Sequence, residues 1–182
     1  FVISRSKTNP ARREVKKGFV RDWDDLNKTF LIEYGKLPEY TKDGSFSEDI
    51  PFKLNQKRKR SLSSRNETSP RFSFDVFKRY GRCCAVCTMN VEGIVTAAHI
   101  KPVSEQGSDD PRNGIPLCRN HHAAFDKCHF TIHPASYQVV TREQGPSKEE
   151  LEIQEGDISK LKAYPDRMAL QWHYKRFLRE SS

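Results

Sequence analysis

Two short pairs of metal-binding side chains constrain this chain more than any other feature. Cys84 and Cys87 have two residues between them, and so do Cys118 and His121. That spacing is a metal knuckle: a short turn brings both donor atoms to one point, and thiolate and imidazole donors suit a tetrahedral Zn²⁺. A chain tied at both knuckles must fold the residues between them into a closed loop. His122 is left over beside the second pair, while Ala97-Ala98-His99-Ile100 and Asn113-Gly114 lie inside the loop. A structural metal would therefore hold together a loop bearing a second His, an Asn and a third His, a candidate hydrolytic site.

Composition narrows the setting. At 182 residues the chain can hold one ordinary domain, or a small domain with an appendage. Apolar residues make up 35% and charged residues 31%, a polar mix that points to some linker or extended arm. The net charge of +8 favours nucleic acid as a partner, because phosphates attract clustered Lys and Arg; a solvated basic surface is the bland alternative. Residues 1–70 carry 16 Lys and Arg against 10 Asp and Glu, whereas residues 71–182 carry 16 against 14. Nonspecific phosphate attraction is thus expected mainly from the first segment. No apolar run approaches the ~20 residues that span a bilayer, and no secretory leader pattern opens the chain. It starts at Phe1 rather than Met, as a piece of a longer protein would. Five cysteines, three of them crowded at 83, 84 and 87, suit metal ligation in a reducing, intracellular compartment better than a disulfide framework. The sequons at Asn27 and Asn66 are then chance matches.

Along the chain, Trp23 to Tyr34 has the spacing of a helix with Leu26, Phe30, Leu31 and Tyr34 on one face. Residues 53–70 read as a linker holding Lys57-Arg58-Lys59-Arg60 and then a serine-rich stretch. The basic run either contacts DNA backbone or is a solvated arm. A short helix is expected after Ser69-Pro70, ended by Gly81. A strand follows over 91–97, then a loop over 101–114, a second strand over 115–117 and a helix over 119–127. One or two strands lie in 130–140, and a closing helix spans 165–178. Two domains result: a basic N-terminal segment over 1–70 and a metal-tied α+β domain over 71–182.

Ala-Ala-His99-Ile, Pro102-Val-Ser-Glu-Gln-Gly107-Ser-Asp-Asp, Asn113-Gly114-Ile-Pro-Leu117-Cys118 and His121-His122-Ala-Ala-Phe125-Asp126 occur in that order. Together they resemble the HNH nucleases, and most closely the restriction-type branch, over roughly residues 71–178. The resemblance implies a ββα-metal core of strand, loop, strand and helix around one catalytic divalent cation, Mg²⁺ or Mn²⁺. It also implies double-stranded DNA as substrate and a part in restriction or phage defence. In it, His99 is the general base that activates water, a task suited to an imidazole near its ordinary pKa of about 6.5. Asn113 ties the loop and positions that base; the plainer alternative is an ordinary Asn-Gly turn. A second copy of the chain is a candidate partner for cutting both strands.

His122 and Asp126 are i and i+4 on the expected helix and share a face, so both could bind the catalytic cation. One departure stands out. Many HNH enzymes carry Asp or His directly before the base, and here that position is Ala98; Asp126, Asn113, Glu92 or water must complete the shell. The structural zinc falls to Cys84, Cys87, Cys118 and His121. Exchange of roles between His121 and His122, or of Cys83 for Cys84, is compatible with the spacing. Cys128 reads as a small buried residue, His129 and His133 as structural, and His173 as packing or a phosphate contact. Two readings compete with a nuclease: a zinc-stabilised DNA- or protein-binding module without catalysis, which Ala98 supports, and a disulfide-bonded secreted domain, which the cysteine spacing disfavours.

Overall fold

The computed structural model describes residues 2–5, 11–34, 46–56 and 69–180. Its chain divides into two compact units, Phe1–Ser47 and Glu48–Ser182. The boundary expected at 70/71 lies inside the second unit, because residues 50–56 bond to that unit's long loop. The basic run Lys57–Arg60 lies outside the described residues.

The first unit contains two antiparallel pairs. β1 (Val2–Arg5) runs against β2 (Arg13–Lys16), with Val2 opposite Lys16. β3 (Gly18–Asp24) runs against β4 (Thr29–Tyr34), with a bulge between Val20 and Asp22. The helix expected over 23–34 is therefore a hairpin. Its turn explains why: the Asp24 carboxylate accepts from the backbone N–H groups of Leu26 (3.0 Å) and Asn27 (3.2 Å) and from the Asn27 side-chain amide, and Lys28 adopts a left-handed φ of 52°. Such Asx bonding offers the backbone an alternative to a helix. Of the four residues assigned to one helical face, only Leu31 is buried, and Leu26 is 76% exposed.

The second unit opens its regular structure with α1 (Pro70–Tyr80), which has Pro in its first turn and Gly81 at its end. β5 (Val95–His99) and β6 (Gly114–Cys118) pair antiparallel, with His99 opposite Gly114 and Val95 opposite Cys118. α2 (Arg119–Asp126) follows β6 without a spacer. β7 (Phe130–Ile132) and β8 (Val139–Thr141) form a second pair, and α3 (Arg167–Arg179), N-capped by Asp166, closes the chain. The order β5, loop, β6, α2 is the expected strand–loop–strand–helix unit, so this is an α+β ββα-metal core with a knuckle and helical flanks. β5 begins later than the sequence suggests, because Val91–Ile94 forms a turn in which Gly93 has a φ of 78°. His99 is consequently the last residue of the strand rather than the residue after it, and Glu92 sits in the turn.

Phe72, Val76, Ala97, Ile115, Leu117, Phe125, Phe130, Ile132 and Leu170 form one core beneath these elements. Gly114 is required there by space rather than by φ. A Cβ at this position would lie 2.5 Å from Val76 Cγ2 and 2.7 Å from Phe72 Cζ, so only glycine lets α1 lie so close to the start of β6. Among the described residues, no helix is long and apolar enough to cross a membrane.

Candidate active site and zinc centre

The knuckles converge. Cys84, Cys87, Cys118 and His121 are all buried, and their donor atoms lie within 4.8 Å of one another. Sulfurs arranged tetrahedrally around zinc at ~2.3 Å would sit about 3.8 Å apart, so the cluster fits that ion. Local bonds explain the convergence. The Cys84 N–H donates to the Met89 carbonyl and the Ala85 N–H to the Pro116 carbonyl, which fastens the first knuckle to β6. Cys118 ends β6 and caps α2, and His121 lies in that helix's first turn. His121 Nδ1 is 3.1 Å from Cys118 Sγ and 3.5 Å from Cys84 Sγ. Its Nε2 lies 2.8 Å from the Leu151 carbonyl, which can only accept. Nε2 therefore carries a hydrogen, and Nδ1, turned to the sulfurs, is the nitrogen whose lone pair would go to a metal in place of its own hydrogen.

The thiols are electrostatically linked. Burial raises the Cys84 pKa, but hydrogen bonds from His121 and from the Cys118 and Val86 backbone outweigh it and hold the group at about 6. Burial pushes Cys87 up to about 12, and the adjacent Cys84 adds to this; burial and Cys84 raise Cys118 likewise. One thiolate thus suppresses the others, and three together call for a cation between them. Cys83 is only half-buried and turns its sulfur to the Cys87 carbonyl at 3.9 Å, outside this cluster; His122 also lies outside it.

A second group of side chains lies along β5, its loop and α2. The ring of His99 stacks on Phe72, with centroids 3.7 Å apart and planes 3° from parallel. Its Nε2 lies 2.9 Å from Asp109 Oδ1. Asn113 is fully buried. Its amide nitrogen donates to the carbonyls of Lys101 (3.0 Å) and Ser108 (2.9 Å), and its Oδ1 accepts from the Lys101 N–H (2.9 Å). Its backbone carbonyl also accepts from the N–H of Ile100, the residue after His99. Asn113 therefore spends its bonding capacity on the loop, more than an Asn-Gly turn requires. His122 Nδ1 lies 2.9 Å from Thr96 Oγ1, and its Nε2 is 3.5 Å from Asp126 Oδ2. Burial lowers the His122 pKa and His99 adds to this, against the opposing pull of Asp126.

Side chains alternate along β5. Thr96 meets His122, so Ala98 shares the face turned toward α2 and offers a methyl group there. Glu92 does not fill the gap; it pairs with Arg82 at 2.5 Å. His173 is a packing residue: it is buried against Phe125, its Nε2 donates to the Phe125 carbonyl (3.0 Å), and Nδ1 meets Thr131 Oγ1 (2.8 Å). Burial holds its pKa down at about 4. Cys128 is fully buried beside it. His133 meets Ser136 Oγ at 3.1 Å.

The sequence reading assigned no role to three parts of this arrangement. Thr96 and Asp109 contact the two site imidazoles. Residues 50–56 form a strap over the loop: Gln56 N–H donates to the Gln106 carbonyl, Ser108 N–H to the Leu54 carbonyl, and Asp109 N–H to Gln56 Oε1. Arg112, paired with Asp110, donates to the Ile50 carbonyl and lies over Phe52. A polar residue inside an otherwise apolar strand and the Asp-Asp run were the available signals for Thr96 and Asp109.

Residues 84–133, from the first knuckle through β7, match the family model described as HNH endonuclease. The matched segment holds both knuckles, β5, the loop, β6 and α2. Among solved structures, the chain is similar to the modification-dependent TagI restriction endonuclease, at 24% identity and a TM-score of 0.45, over 59% of this chain and 38% of that one. No curated protein matches the chain.

Proposed function

We propose that this chain is a metal-dependent DNA endonuclease, in which His99 is the general base, Asn113 positions it, and His122 with Asp126 would hold one Mg²⁺ or Mn²⁺. The observation that supports this best is the placement of His99 and His122 on adjoining elements of one β5–loop–β6–α2 unit, each imidazole with a carboxylate at one ring nitrogen. His99 takes a proton from water, the resulting hydroxide bonds to phosphorus, and the P–O3′ bond breaks; the leaving oxygen is protonated from solvent. When bound, the cation would neutralise charge on the phosphate and on that oxygen. Cys84, Cys87, Cys118 and His121 would hold a structural Zn²⁺ that fixes α2 against the hairpin. Lys57, Arg58, Lys59 and Arg60 would contact the backbone of double-stranded DNA. A restriction or defence role in an intracellular setting belongs to this proposal, as does pairing of two copies to cut both strands.

Plasmid DNA with Mg²⁺ or Mn²⁺ tests the reading. The wild type should nick or linearise it, and His99→Ala should lose at least about 100-fold in rate with its circular dichroism spectrum unchanged. Undiminished cutting by that variant would remove His99 from the base role. The second reading, a zinc-stabilised binding module, is favoured by Ala98; DNA binding without nicking under any divalent cation would select it.

A further inference from the structure

Two oxygen atoms to which the sequence reading gave no role touch the two site imidazoles at opposite ring positions. Asp109 Oδ1 lies 2.9 Å from Nε2 of His99. Thr96 Oγ1 lies 2.9 Å from Nδ1 of His122. A neutral imidazole carries one N–H, and the nitrogen facing an acceptor is the one that keeps it.

For His99 the acceptor is an ionisable carboxylate, and one face of the ring is packed. Phe72 lies flat against one side of the ring, and Gly114 is what allows Phe72 to come so near. Asp109 is held as well: Gln56 Oε1 accepts its backbone N–H at 3.2 Å, and Asn113 fixes the carbonyl of neighbouring Ser108. For His122 the acceptor is a hydroxyl, whose single hydrogen decides the matter. Thr96 Oγ1 also lies 3.3 Å from the Leu117 carbonyl, which can only accept. The hydroxyl hydrogen goes there, and the oxygen then receives the hydrogen on His122 Nδ1.

We infer that Asp109 and Thr96 are positioning residues that lock the two imidazoles in opposite tautomers. His99 is held as Nε2–H, which leaves Nδ1 as its basic nitrogen. His122 is held as Nδ1–H, because Thr96 at 2.9 Å is nearer than the Asp126 carboxylate, which lies 3.5 Å from Nε2; Nε2 keeps its lone pair. The same β5–β6 pair thus supplies a base and a ligand from one residue type by hydrogen-bonding each at a different edge. The inference rests on the proposed nuclease reading for its purpose but not for its measurement.

The tautomers are read directly by long-range ¹H–¹⁵N correlation of the histidine rings, at neutral pH, on zinc-loaded protein without added Mg²⁺ or Mn²⁺. The expected pattern is Nε2–H for His99 and Nδ1–H for His122. Thr96→Val, which keeps the shape and removes the oxygen, should shift His122 toward Nε2–H and weaken Mn²⁺ binding about 10- to 100-fold, while Thr96→Ser restores both. Asp109→Asn should disturb only the His99 pattern, and lower cleavage with Mn²⁺ binding unchanged. If wild-type His122 is Nε2–H, or if Thr96→Val leaves the spectrum and the Mn²⁺ affinity unaltered, the inference is overturned. Loss of cutting in His99→Ala together with that spectrum would sink the tautomer assignment alone. The expected spectrum together with undiminished cutting would sink the nuclease assignment of His99 alone.

Discussion

Single residues carry most of the chemistry, and two of them make predictions that need no DNA. Cys87 is one of four donors within 4.8 Å of one another. Structural zinc contributes on the order of 10 kcal/mol or more to small metal-tied folds. Chelation, or Cys87→Ser, should therefore unfold the 71–130 region; thermal melting with and without a chelator checks this, and superimposable curves would contradict it. His173 is neutral in the fold, with its pKa at about 4 against an ordinary 6.5. The unfolded chain binds the extra proton first, so this residue's contribution is intact above pH 6.5 and is lost as pH falls toward 4. Between pH 6.5 and 5 the loss should be about 2 kcal/mol. Urea titrations in excess zinc should show a shallower pH dependence in His173→Leu than in the wild type, since acid-driven zinc loss acts on both alike. The clustering of Cys84, Cys87, Cys118 and His121 was legible in the sequence because a two-residue spacer is a local fact, fixed before the fold exists. Thr96 and Asp109 were not, because each matters through a partner 26 or 10 residues away, a distance only the folded hairpin closes.

Among the elements, the core unit β5–loop–β6–α2 was readable as apolar strand segments bounded by Gly and Pro and followed by a helical stretch. Residues 23–34 misled for a physical reason. Phe30, Leu31 and Tyr34 satisfy a helical spacing, yet Phe30, Ile32 and Tyr34 also satisfy the two-residue period of a strand. The Asp24 turn, through its side-chain bonds to Leu26 and Asn27, decides between them. The strap over 50–56 was invisible, since its hold on the loop consists of backbone and amide bonds to residues 106–109 that no composition signals. It has a testable consequence. Gln56→Pro removes the N–H that donates to the Gln106 carbonyl, together with the amide oxygen that accepts from Asp109. This variant should cut at least about 10-fold more slowly while retaining the zinc, its basic run and its affinity for DNA; a filter-binding assay beside a nicking assay separates these. Equal nicking rates would show that the strap does not hold the loop.

At the scale of the whole molecule, charge is the dominant property. The net +8 is concentrated before residue 71, whereas the site itself sits in the nearly neutral part. Binding and cutting are therefore expected to be separable. Replacing Lys57, Arg58, Lys59 and Arg60 by Ala should weaken DNA binding most at low salt and flatten the dependence of log affinity on log salt by up to about 4. The cutting rate at saturating DNA should change little. Affinities at four or five salt concentrations test this, and an unaltered slope would leave the run as a solvated arm.

Cys118, His121 and His122 occupy one turn at the β6–α2 junction, and this makes the fold and the chemistry fail together. An oxidant that converted any of the three cluster thiols would need no access to His99, Asp109 or DNA. It would release the turn that carries His122 and thereby remove the neighbour of Asp126 as well. On the proposed reading, a cell under thiol stress would lose this nuclease as an activity and as a folded body in the same step, and damage to the cluster would leave no half-functional enzyme behind to nick DNA.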